Sequence, residues 1–143
     1  ELGTMDWVFA VSPRHPLATA AEPLSQDTVG RHRAVVVADS SRSTGRAYGV
    51  LGGQATLAVP GMHAKILAQR DGLGVGWLPR QRVAALLRHG QLVEKKTADP
   101  REPNTLYVAW RSDHEGRALG WWLEQLRQPR LARWLIQGLE VPA

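Results

Sequence analysis

Along the chain, apolar runs of four to six residues alternate with stretches in which apolar residues recur at helical spacing. The run Trp7–Val11, broken at Pro13 and Pro16, predicts a buried strand. Ser25 is placed to cap a short helix that ends near Gly30. The β-branched run within Arg33–Asp39 predicts a strand covered on both faces. Ser40–Gly53, rich in Ser, Gly and Arg, reads as a loop, and Ala55–Val59 as a short strand. Gly61–Asp71 predicts a helix with Met62, Ile66 and Leu67 on its apolar face and Lys65, Gln69 and Arg70 elsewhere; Gly72 closes it. A strand over Gly74–Pro79 follows, with Pro79 opening a second helix whose apolar face is Val83, Leu86 and Leu87 and which stops at Gly90. Gln91–Glu94 and Thr105–Trp110 read as strands on either side of a proline-rich loop, Thr97–Asn104. Ser112 and Glu115 have the spacing of a capping box. The helix expected after it carries Leu119, Trp122, Leu123 and Leu126, with Trp122 toward the core, and a second short helix follows Pro129. Strands alternating with helices imply a largely parallel α/β sheet with crossover helices.

The segment "GLGVGWLP", Gly72–Pro79, raises the question of a phosphate cradle. A dinucleotide fingerprint needs its glycines after a strand and at the opening of a helix. Here they follow a helix and lead into a strand, and the third glycine comes one residue early. An anion at Gly74 would meet the negative end of a helix dipole. Gly74 and Gly76 therefore read as places where backbones approach closely.

Composition narrows the field further. The size suits one domain, and 43% hydrophobic residues suffice for a core. No long uncharged apolar stretch and no secretory signal are visible, which predicts a cytoplasmic protein without a membrane partner. The start at Glu1, with no initiator Met, suggests a piece of a longer protein. With no cysteine, disulfides and thiol chemistry are excluded, and no His or carboxylate set has metal-ligand spacing. The net charge of +5 comes from fifteen Arg and three Lys against thirteen acids, scattered without a basic run. No cofactor is expected.

In parallel α/β sheets ligands bind beyond the carboxyl ends of strands, where the next helix presents free N–H groups. Three such junctions are readable: Asp39, Ser40, Ser41 and Arg42; Pro60, Gly61, Met62 and His63; and Pro79 with Arg80. Ser40 and Ser41 also suit a plain turn cap, Met62 the core, His63 a solvated helix position, and Arg42 either a carboxylate clamp or a loop arginine. No catalytic signature is present, although Ser40 or Ser41 with His63 leaves a hydrolase open.

The stretches "WVFAVSPRHPLA", "PLS", "RAVVVADSS", "LAVPGMHAKILAQRDGLGVGWLPRQRVAALLRHGQLV" and "LYVAWRSDHEGRALGWWLEQL" resemble, in order and spacing, the carboxyl-terminal part of LysR-type transcriptional regulators. Small periplasmic solute-binding proteins share that architecture and supply an alternative reading. The resemblance implies a Rossmann-like, periplasmic-binding-protein-like (type 2) subdomain with helices on both faces, plus the last helices of an incomplete first subdomain. It implies that residues 1–9 end the first subdomain and begin a crossing strand, that 10–110 form the second effector-binding subdomain, and that 111–143 return to the first. Trp7–Ser12 and Thr105–Trp110 are the expected crossing strands. The implied function is sensing of a small effector, anionic or aromatic, without catalysis. The expected contacts are Ser12, Asp39, Ser40, Ser41, Pro60, Gly61, Met62 and His63. Homo-oligomerisation, as dimer or tetramer, and DNA binding through an amino-terminal domain outside this chain are implied for the parent.

Overall fold

The computed structural model describes residues 1–38, 50–111 and 116–138. Seven strands and five α-helices are present among them: β1 (Gly3–Met5), β2 (Trp7–Val11), α1 (Gln26–Gly30), β3 (Ala34–Val37), β4 (Thr56–Val59), α2 (Met62–Arg70), β5 (Gly76–Pro79), α3 (Arg80–Arg88), β6 (Val93–Lys95), β7 (Asn104–Leu106), α4 (Arg117–Leu126) and α5 (Pro129–Gln137).

β3 and β4 pair in parallel, Ala34 opposite Thr56 and Val37 opposite Val59. The parallel bridge between Ala34 and Val75 joins this pair to β5, and β2 lies antiparallel between β5 and β6. The strand order is therefore β4-β3-β5-β2-β6. Four strands run one way, as the alternation of elements predicts, and β2 alone runs against them. Val8, Ala10 and Leu78 on one face pack with Ile66 of α2 and with Val83 and Leu86 of α3. Phe9, Val11 and Val75 on the other pack with Leu17 and Leu24, and Val29 of α1 leans on them. Both faces are thus covered over β2 and β5, while β4 at the edge of the sheet leaves Thr56 and Ala58 exposed.

The glycine-rich segment performs its structural role. Gly72, at φ +81°, closes α2 in the left-handed region. A Cβ on Gly74 would stand 2.6 Å from the Arg33 carbonyl oxygen and 2.9 Å from Val35 Cγ2. Gly74 thus lies against the backbone entering β3, while at Gly76 the crowding comes from Gln69 and Lys65 of α2.

Several expectations need correction. Trp7–Val11 does not pair with the strand near Thr105; Gly3–Met5 does, with Thr4 opposite Thr105. Trp7–Val11 is instead interior to the main sheet, where two neighbours satisfy its backbone. Lys65 and Gln69 face inward at 8% and 0% exposure, so the apolar stripe of α2 does not define its buried face. The Gln69 carboxamide, oriented to donate, reaches the carbonyls of Ala10 (3.0 Å) and Gly76 (3.2 Å). Pro79 ends β5 and caps α3, which begins at Arg80. The strand expected over Thr105–Trp110 shortens to Asn104–Leu106. Ser112 and Glu115 lie outside the described residues, and α4 starts after an N-cap at Gly116. Trp122 is 52% exposed rather than core, and no residue of α4 is fully buried.

Candidate functional site

The parallel strands end on a common edge, at Val37, Val59 and Pro79. There the Ala38 N–H donates to the Val59 carbonyl at 2.8 Å, holding the β3 and β4 ends together. The chain then turns through Pro60 and Gly61 into α2. Gly61 is the N-cap, with extended backbone (φ −174°, ψ 175°) and no side-chain cap. The first helical bond runs from the Lys65 N–H to the Gly61 carbonyl at 3.0 Å. The N–H groups of Met62, His63 and Ala64 consequently have no partner within the helix. Among the described residues a Cβ on Gly61 would meet nothing within 4 Å, so they leave the approach open. Met62 is half-buried against the core and His63 is exposed.

The neighbouring helix start is closed. The Arg80 N–H donates to the Asp6 carbonyl at 2.9 Å, and the Arg80 guanidinium pairs with Glu94 at 2.5 Å. The Gln81 amide reaches the Asp6 carboxylate at 3.3 Å. Of the two described helix N-termini on this edge, the one at Gly61–His63 is left open by the described residues.

Because β2 runs against the other strands, its first residue lies on this edge and its last on the opposite one. Ser12, fully buried, sits beside Gly72, whose Cβ would lie 3.7 Å from that of Ser12. It is thus a helix length, about 13 Å, from Gly61. The structure therefore brings Pro60, Gly61, Met62 and His63 together and leaves Ser12 apart. Asp39, Ser40 and Ser41 lie outside the described residues, as does Arg42.

Four residues near this edge escape a reading by spacing. The Trp7 indole N–H donates to the Asn104 side chain at 2.6 Å, fastening β2 to the start of β7. The Arg101 guanidinium stacks on the Trp7 ring, 3.5 Å from its centroid. Burial, and secondarily the charge of Arg101, pulls the Lys65 amine down to about 8. These positions are dispersed from Trp7 to Asn104, and only the basic content of the sequence hints at a positive field here. Among the described residues no group of three or more His, Asp or Glu is placed to hold a metal ion.

Known proteins share this fold. The LysR substrate binding domain family matches residues 1–130. The uncharacterized HTH-type transcriptional regulator YeeY of Escherichia coli is 36% identical over 126 residues, which is 87% of this chain and 41% of that protein. The HTH-type transcriptional activator AllS of Salmonella typhi is 34% identical over 137 residues, 94% of this chain and 44% of that protein. The chain thus spans less than half the length of these curated relatives. Among solved structures, full-length LysG of Corynebacterium glutamicum superposes with a TM-score of 0.61 at 23% identity, over 99% of this chain and 46% of that one. The regulatory domain of MetR from Neisseria meningitidis gives 0.61 at 20%, over 92% and 62%. These likenesses agree with the four co-directional strands, the reversed β2 and the β1–β7 pair: the chain belongs to the LysR substrate-binding domain family.

Proposed function

We propose that this chain is the effector-sensing part of a LysR-type transcription regulator, with the effector at the carboxyl edge of β3 and β4. One observation carries the reading: the open, uncapped start of α2 at Gly61–His63 shares an edge with Trp7, where the β1–β7 pair enters the sheet. Free N–H groups, the helix dipole and the nearby Arg101 and Lys65 favour an anionic group on the ligand. The exposed His63 ring and the side chain of Met62 suit an aromatic body. Pro60, Gly61, Met62 and His63 are the proposed contacts, and Asp39, Ser40 and Ser41 are proposed with them.

On this reading residues 1–9 and 111–143 belong to a first subdomain and 10–110 to the second, with β1 and β7 as the crossing pair. The parent protein is a cytoplasmic homo-oligomer that binds DNA through an amino-terminal helix-turn-helix, has no catalytic role and has no membrane partner. The curated relatives are named as HTH-type regulators, which favours this over a solute-binding protein. No described helix is long and apolar enough to cross a membrane.

The test is a thermal-shift and calorimetric screen of the full-length protein against small carboxylates and aromatic acids. Met62→Trp and His63→Ala should each weaken a hit at least tenfold, and hits that bind both variants like the parent would move the site elsewhere.

A further inference from the structure

On the opposite face of the sheet, away from α2, lies a cavity of about 190 Å³. Its floor is the buried Phe9 and Leu24 with Trp77, whose ring meets Phe9 edge-to-face at 5.6 Å. Val29 of α1 and Leu51 form walls, and Gln26 and Asp99 stand at the mouth. The walls are fastened. The buried Gln54 amide donates to the carbonyls of Val29 (3.1 Å) and His32 (2.9 Å) while accepting from the Leu51 N–H (3.0 Å), which ties the loop at Leu51 to α1. Leu24 exchanges backbone bonds of 2.8 Å with Lys96 and Ala98, which fixes the segment bearing Asp99.

Among the described lining residues Asp99 is the one charged group, beside the neutral Gln26 and Thr97. Asp99 accepts from the Gln26 amide at 2.5 Å, and among the described residues no Lys or Arg pairs with it. An aromatic floor beneath a carboxylate is the donor set for an organic cation. The volume limits the choice: an apolar cavity of about 150 Å³ accepts benzene, whereas pockets for drug-sized ligands begin at about 300 Å³.

We propose that this cavity is a second ligand site, distinct from the edge at Gly61–His63, for a small cation with a single aromatic ring. The ring lies on Phe9, Leu24 and Trp77, and the ammonium faces Asp99.

Benzylamine is the probe and benzyl alcohol its neutral counterpart. Both are titrated into the full chain while the Trp77 indole N–H is followed by ¹H–¹⁵N NMR, its resonance identified with Trp77→Phe. Benzylamine should shift that resonance saturably at millimolar concentrations, with the alcohol about fivefold weaker, as an exposed ion pair allows. Asp99→Asn should bring the amine to the level of the alcohol. Val29→Trp should abolish binding of both by filling the cavity; Leu51→Trp on the loop wall replaces it if that variant does not fold. Met62→Trp should leave benzylamine binding unchanged, separating this site from the effector edge. Absence of saturation, binding that survives the filled cavity, or an amine preference that survives Asp99→Asn overturns the proposal.

Discussion

Gly74→Ala tests whether the glycine-rich segment is a packing device. The added methyl would stand 2.6 Å from the Arg33 carbonyl oxygen and 2.9 Å from Val35 Cγ2. Carbon and carbonyl oxygen normally approach to about 3.3 Å, so the strands must part by about 0.7 Å. Two bonds hold them there: Val35 N–H to Val75 O and Val75 N–H to Arg33 O, both 2.9 Å. Opening by that amount carries both beyond hydrogen-bond distance. Two lost backbone bonds cost about 2 kcal/mol and overpacking about 2 more. The unfolded-state entropy removed by Ala returns about 0.7 kcal/mol. A net loss of about 3 kcal/mol is expected, or a fall in Tm of about 10 °C for a chain of this size. Thermal unfolding followed by circular dichroism measures it, with Gly52→Ala as the control, since a Cβ there meets nothing within 4 Å. Hydrogen exchange should also quicken at Val35 and Val75. If the two variants melt together, the reasoning from close approach fails.

Lys65→Met should stabilise the protein at pH 7 by up to about 3 kcal/mol. The buried amine is held at about 8 against an ordinary 10.5, so stability in the parent rises with pH between those values, where the unfolded chain keeps the proton and the folded one does not. Urea unfolding from pH 7 to 10.5 should show that rise in the parent and none in the variant. Lys95→Met should destabilise by about 2 kcal/mol, because the ammonium satisfies the Ala20 carbonyl at 2.8 Å and pairs with Glu22 at 3.2 Å from a largely buried position; chemical denaturation reads this directly. Trp121→Gln with Trp134→Gln should reduce self-association, since both indoles are more than half exposed, and light scattering at rising concentration checks it.

The middle of the fold was legible because its strands are runs of apolar residues and its helices end at glycines. Both signals are local: β-branched runs at Ala34–Val37, and left-handed closure at Gly72 and Gly90. What was illegible depends on partners. Lys65 and Gln69 read as solvent-facing because charge and amide usually are, yet α2 lies against Gly76, whose missing side chain makes room for both. Gln69 is kept inside by the two carbonyls it satisfies. Trp122 read as core because its helix carries apolar residues at the right spacing, but spacing does not say whether anything packs on that face.

The candidate edge was half legible for a related reason. Pro60–His63 follow directly from a strand that passes into a helix, so their edge can be named without knowing the rest of the sheet. Ser12 was misplaced because a strand's direction is not written in its own residues; it is set by its neighbours. Reversing β2 exchanges the two ends, so that Trp7, not Ser12, shares the edge with α2. That reversal also has a mechanical consequence. Only Asp6 separates β1 from β2, and its carbonyl is bonded to the first N–H of α3, while Trp7 is tied to Asn104 at the head of β7. A shift of the β1–β7 pair therefore bears on α3 and on the Trp7–Arg101 stack together. A ligand whose affinity differs between two positions of that pair would favour one of them, and only as far as that difference goes.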